Sequence, residues 1–264
     1  MPAQSIFITG AGRGIGQACA ERFAAAGYFV GLYDVDAELL EATATALGDR
    51  YGRDRSCHAT LDVRDNGSIR AAVAHFAEHT DDRMHVLLNN AGVMHVGPFE
   101  TIDPATHRQT IAVNFQGVVE VAHASFELLR ATPRARLINM SSASAIYGMP
   151  EIATYSASKH AVRGLTEALD IEWEPHDIRV CDVMPVFVNT ELLTRTRQMS
   201  AAQTLGVRLE PNDVAEVVWA AANSKRRRVH WPVGLQTKLA HHGSGLAPAA
   251  LERLIIRLMS RSSR

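Results

Sequence analysis

The chain has 264 residues, 47% of them hydrophobic and 21% charged, with a formal net charge of -1 at pH 7. That balance excludes a disordered or fibrous chain, and near-neutrality gives no overall pull toward nucleic acid or anionic lipid, so the expected partner is a small molecule. No apolar run approaches the roughly 20 residues of a transmembrane helix, the N-terminus lacks the basic start of a signal peptide, and Cys19, Cys57 and Cys181 fit neither C-x-x-C nor an even disulfide set, so a cytoplasmic protein is expected.

Strand-like runs at 5–9, 28–34, 58–63, 85–90, 136–141 and 178–184 alternate with helical periodicity over 17–26, 37–47, 68–79, 105–130 and 153–172. Strand and helix in regular alternation predict a single α/β domain with a doubly wound, mostly parallel sheet and helices on both faces. The nearly continuous apolar strands suit a sheet buried on both sides. Such a sheet carries its ligand crevice at the carboxyl ends of the strands, where each of the motifs below begins.

After the first strand comes Thr9-Gly10-Ala11-Gly12-Arg13-Gly14-Ile15-Gly16. Its scarcity of side chains lets backbone approach a pyrophosphate, and the next helix offers unpaired N–H groups to the anion. No Gly-Lys-Ser/Thr follows, so this is not an ATPase phosphate loop. Asp34 ends the second strand 18 residues after Gly16, where a carboxylate can accept from adenosine ribose hydroxyls and repel a 2′-phosphate. Asp34 therefore favours NAD, whereas Arg13 could pair with the phosphate of NADP. Asp34 could also cap the helix starting near Asp36. Asp62, at the end of the third strand, could cap the next helix or reach the adenine. His75 and His79 have the i, i+4 spacing of metal ligands, but without the H-E-x-x-H form they read as surface histidines, and no metal is expected.

Ser142 follows the fifth strand, and Tyr155 and Lys159 stand four apart on the helix after it, hence on one face. An ammonium beside a phenol favours the phenolate, which should lower the tyrosine pKa from about 10 toward the range of a general acid/base. Ser142 could donate to a substrate oxygen while Tyr155 exchanges its proton.

In chain order, TGAGRGIG at 9–16, Asp62-Val63, NNAG at 89–92, Asn114, Ser142 and YSASK at 155–159 resemble the short-chain dehydrogenase/reductase family over roughly residues 5 to 190. The resemblance implies a single-domain Rossmann fold, assembled as a homodimer or homotetramer. It implies hydride transfer between NAD(P)(H) and the CH–OH or C=O carbon of an alcohol or ketone. It also implies a catalytic tetrad of Asn114, Ser142, Tyr155 and Lys159, with the lysine also on the nicotinamide ribose and the asparagine on a proton-relaying water chain. Cofactor contacts are implied at Gly10, Arg13, Gly14, Ile15, Gly16, Asp34, Asp62, Val63, Asn89, Ala91, Gly92, Tyr155, Lys159, Pro185, Val188 and Thr190. Asn89 and Gly92 would lie beside the adenosine half, although a strand-end turn also accounts for them. Two departures stand out. Pro185-Val186 replaces the family's usual Pro-Gly, and the usual seventh strand is not recognisable in 228–234, although that apolar run could still form one.

The loops after strands four to six, including a candidate substrate loop at 186–210, carry Met94, His95, Val96, Ala145, Ile146, Met149, Phe187, Leu192 and Leu193. A mostly apolar wall suits a hydrophobic alcohol or ketone. Residues 225–264 hold nine Lys/Arg and one acidic residue, and Leu251, Leu254, Ile255, Leu258 and Met259 share one face of a C-terminal helical extension at 247–264. That helix could pack on the core or another subunit, cover the substrate, or touch a membrane peripherally. The alternatives to an enzyme are a non-catalytic NAD(H)-sensing regulator and a membrane-surface adaptor. The complete tetrad argues against the first, and only the basic tail supports the second.

Overall fold

The computed structural model describes residues 4–190 and 209–243. Among them, strands β1 (Ser5–Thr9), β2 (Phe29–Asp34), β3 (Ser56–Thr60), β4 (Val86–Asn89), β5 (Arg136–Met140), β6 (Arg179–Met184) and β7 (His230–Pro232) pair in parallel, in the order β3-β2-β1-β4-β5-β6-β7. The helices are α1 (Gly14–Ala25), α2 (Ala37–Tyr51), α3 (Asn66–Glu78), α4 (Pro104–Ile111), α5 (Gly117–Arg130), α6 (Ala153–Glu172), α7 (Pro211–Asn223) and α8 (Gly234–Gly243).

Side chains alternate across a strand, so each strand feeds two cores. Ile6, Ile8 and Leu32 enter one with Phe23, Leu40, Val214 and Val218. Phe7 and Tyr33 enter the other with Phe76, Leu87, Leu129 and Leu137. Each large apolar side chain withdrawn from water in this way contributes about 1.5–3 kcal/mol. The expected doubly wound sheet is what forms. Winding proceeds outward from β1 to β3 and then returns to the other side of β1 at β4. The connections leaving β1 and β4 therefore part company, and a crevice opens at their carboxyl ends.

Several helix starts are fixed by short acidic side chains, as capping predicts. Asp36 accepts from Leu39 N, Asp65 from Gly67 N and Asp103 from Ala105 N. At α7, Glu210 and Asp213 form a reciprocal capping box around Pro211. Helix α1 differs: it begins after Arg13 with no side-chain cap and no acidic residue in its first turn.

Three departures from the sequence reading have local causes. The third strand runs Ser56–Thr60 rather than 58–63, because Asp62 N donates to Ser68 Oγ and Arg64 folds back onto Asp62, which commits that backbone to a turn. The helix expected over 105–130 forms as α4 and α5, joined by a π-type turn at Ala112–Gln116. The edge strand β7 does form, and Pro232 is tolerated at its end, where the missing N–H costs no ladder bond to a further strand. The C-terminal extension at 247–264 lies outside the described residues.

Candidate active site

The glycine loop sits where β1 and β4 diverge. A side chain at Gly16 would put its Cβ 1.9 Å from the Gly10 carbonyl oxygen, so only glycine lets the loop close on the helix this tightly. Asn90 holds the same spot from β4, its Nδ2 donating to the carbonyls of Thr9 and Gly10 at 3.0 and 2.9 Å. In return, Thr9 Oγ1 accepts from the backbone of Asn90 and Ala91, both at 3.0 Å. Asn89 turns elsewhere: it is buried and donates to Asn139 and to the Val118 carbonyl. Sequence reasoning thus named Asn89 and passed over Asn90, the asparagine that touches the loop. The signal was present in the paired Asn of NNAG, since alternate strand residues face opposite ways.

Asp34 stands at the loop's edge, with Oδ2 accepting from Gly12 N at 2.9 Å and Oδ1 from Asp36 N at 3.1 Å. It does not cap α2, because Asp36 does. Asp62 does not cap α3 either, that place being held by Asp65. Arg64 grips Asp62 through two guanidinium nitrogens, and those hydrogen bonds hold its carboxyl below the ordinary carboxylate range. Val63 packs under Gly117 at the start of α5, and Ile15 rests against the core from the first turn of α1. Thr190 comes over Gly14, where a Cβ would lie 3.3 Å from its methyl group. Val188 is buried in the core, and the Pro185 carbonyl accepts from Ala143 N, tying the sixth strand's loop to the segment bearing Ser142.

Ser142 caps the single turn Ala143–Ala145. Its Oγ accepts from Ser144 N at 3.2 Å and from Ser144 Oγ at 3.0 Å. Both lone pairs are then used, and its own hydrogen remains to be donated. Tyr155 lies within hydrogen-bonding reach of it. Burial raises the Tyr155 phenol pKa, and the Ser142 bond works against that rise. The lysine-driven lowering expected from sequence does not appear, because Lys159 Nζ sits 5.6 Å from the Tyr155 ring centroid and donates to the Met140 carbonyl at 2.7 Å. Lys159 is itself nearly sealed from water, which pulls its pKa down to about 8.

Asn114 lies inside the π-type turn, a local distortion found frequently at functional sites. It is fully buried, accepts from Val93 N at 2.8 Å, and donates to the Val93 carbonyl and to Ser158 Oγ. A Cβ built on Gly92 would lie 3.4 Å from Asn114 Oδ1 and 3.8 Å from Lys159 Nζ. Gly92 is thus the point where the glycine-loop half meets the Ser142, Tyr155, Lys159 and Asn114 half. Beside Tyr155, Met94, Met149 and Ile152 form a small apolar cluster with Val96, Tyr147 and Phe187 packed against it. Tyr147 and Ile152 were not foreseen, and Leu192 and Leu193 lie outside the described residues.

The residues present fit a dinucleotide: a cradle a Cβ would fill, a helix start without a side-chain cap, and a carboxylate pinned at the loop's edge. The family model described as short chain dehydrogenase matches residues 4–201. D-threitol dehydrogenase of Mycolicibacterium smegmatis is 32% identical over 185 residues, spanning 70% of this chain and 70% of that one. Cyclohexanol dehydrogenase of an Acinetobacter species is 30% identical over 217 residues, 80% of this chain and 84% of that one. The structure of 3-ketoacyl-(acyl-carrier-protein) reductase from Brucella melitensis complexed with NADH matches with a TM-score of 0.79 at 27% identity, over 88% of this chain and 97% of that one. Family model, relatives and sheet agree, and the chain belongs to the short-chain dehydrogenase family of oxidoreductases.

Proposed function

We propose that the protein interconverts a hydrophobic secondary alcohol and its ketone, using NAD in preference to NADP, with Tyr155 as the general acid/base. The observation that carries this reading is the Ser142 hydroxyl, which accepts twice from Ser144 and keeps its hydrogen to donate, within hydrogen-bonding reach of Tyr155 and with Lys159 close to the same ring. A bound nicotinamide dinucleotide supplies or accepts the hydride.

The protein's own groups do the rest. Ser142 donates to the substrate oxygen and fixes its position, while the Tyr155 hydroxyl passes its proton to that oxygen in reduction and takes it back in oxidation. Lys159, tied to the Met140 carbonyl close to Gly92, would hold the nicotinamide ribose. Asn114 keeps the π-type turn against Val93 and so holds the floor between Gly92 and Ser158. The apolar cluster of Met94, Met149 and Ile152 favours a ring or chain without charge. Asp34, fixed by two backbone N–H groups, supports NAD, because a 2′-phosphate would meet a carboxylate that has little freedom to turn away. The relatives' substrates include both a polyol and an alicyclic alcohol, so the apolar preference rests on this wall and not on likeness.

The test is a screen of cyclic and acyclic secondary alcohols and ketones with each cofactor, followed at the reduced-nicotinamide absorbance band. Turnover with NAD that collapses in Tyr155→Phe is the expected result. Cofactor binding without absorbance change on any substrate would favour the NAD(H)-sensing regulator instead.

A further inference from the structure

We propose that Cys57, His75 and His79 form a binding site for a divalent cation of the zinc class, separate from the active site. Cys57 is the second residue of the edge strand β3, and His75 and His79 are one turn apart at the end of α3. Their ligating atoms all lie within 4.8 Å of one another. One thiolate and two imidazoles make a donor set that suits zinc or cobalt and not magnesium or calcium.

The surroundings fit a cation. His79 Nδ1 lies 2.8 Å from the His75 carbonyl oxygen, which can only accept, so Nδ1 carries the hydrogen and the neutral ring keeps its Nε2 lone pair for a metal. Residue 79 is also the C-cap of a 13-residue helix, where the partial negative charge of the helix end favours a cation. Phe29 stacks on the His79 ring at an interplanar angle of 19° and restricts its orientation. Behind these ligands the fully buried Tyr33 places its hydroxyl 3.0 Å from His75 Nδ1 and 3.6 Å from Cys57 Sγ, in position to donate to a thiolate. A hydrogen-bonded trio of Tyr33, His75 and Cys57 would satisfy buried polar groups by itself, but it gives no reason for His79 to converge on the same point.

Tetrahedral zinc, with bonds of about 2.0–2.3 Å, spaces its ligands roughly 3.3–3.7 Å apart. Binding would therefore draw these atoms together by up to roughly 1.5 Å. On binding, the Cys57 thiol gives its proton to solvent as the metal–sulfur bond forms, and a water takes the fourth position. The site lies near the start of β3, three residues before the strand's end at Thr60, a separation of roughly 10 Å at about 3.3 Å per residue. Its effect would be to clamp the sheet's edge strand to α3.

The test is cobalt titration of the full-length protein, read by absorbance, followed by displacement with zinc. Binding of one equivalent should give a thiolate-to-cobalt charge-transfer band. That band should vanish in Cys57→Ser, and His79→Ala, at an exposed position that does not endanger folding, should weaken binding at least tenfold. His123→Ala, at an exposed position on α5, serves as the control and should leave both readouts unchanged. Cobalt binding without the charge-transfer band, or affinity unchanged in His79→Ala, would overturn the proposal and assign the metal to scattered surface histidines.

Discussion

Among the described residues, Lys159 on α6 gives its buried ammonium to the carbonyl of Met140 at the end of β5, at 2.7 Å. With so little compensation, burial lowers its pKa from 10.5 to about 8. The unfolded chain therefore binds more protons than the folded one between those values, and stability rises with pH through that window. Urea unfolding of wild type and Lys159→Met at pH 7 and pH 10 should show wild type gaining about 2 kcal/mol on the variant as the pH is raised. A constant difference at the two pH values would mean that Lys159 keeps an ordinary pKa in the fold.

Tyr155→Phe removes the hydroxyl and leaves the ring packed beside Met149 and Phe187. We expect kcat to fall by about 10²–10⁴, the usual contribution of general acid/base catalysis, with the Kd for NADH nearly unchanged. Retention of most activity would remove Tyr155 from its assigned role.

Ser144 is the positioning residue for Ser142. In Ser144→Ala one of the two bonds accepted by Ser142 Oγ is lost while the backbone bond remains. A neutral hydrogen bond of about 0.5–1.5 kcal/mol corresponds to a loss of roughly 2- to 12-fold, and it should fall on kcat and not on KM. Ser144→Thr, which keeps a hydroxyl, should recover part of it. Equal losses in both variants would point to packing alone.

Asn90→Ala should be costly out of proportion to its size, because two loop carbonyls lose their donor at once. Destabilisation of about 1–3 kcal/mol is expected, with a raised Kd for the dinucleotide. An unaltered Kd, measured by fluorescence titration, would mean that the glycine loop holds its shape without that anchor.

Asp34→Ser removes a ribose acceptor and a charge near the 2′ position. The ratio of kcat/KM for NADP over NAD should rise by about tenfold or more, the equivalent of 1.4 kcal/mol. If wild type already prefers NADP in that comparison, the guanidinium of Arg13 outweighs the carboxylate.

Fold and site were not equally legible in the sequence. The central strands were, because β1, β4, β5 and β6 are buried on both faces and read as nearly continuous apolar runs. Edge strands were less legible: β3 runs Ser56–Thr60 where 58–63 is expected, since it mixes buried and exposed positions, and β7 is three residues long. Helix α7 was not anticipated, although the Glu210, Pro211 and Asp213 start signal is plain once the chain is known to return there. Spacing placed Tyr155 and Lys159 on one face, since helical geometry is local. It could not reveal that Lys159 Nζ would be taken by a carbonyl 19 residues upstream, or that Cys57 would meet two histidines from another element. Such meetings depend on register between elements.

The bare start of α1 bears on more than cofactor recognition. Among the described residues no side-chain cap closes its first turn, so an anion that settles there would complete the fold as well as the site. At a hundredfold excess over its Kd, a ligand specific for the folded state adds about 2.7 kcal/mol of stability. A cell short of the dinucleotide would then hold less of this protein, because more molecules would stand open to proteases, and supply of the coenzyme would set abundance as well as rate.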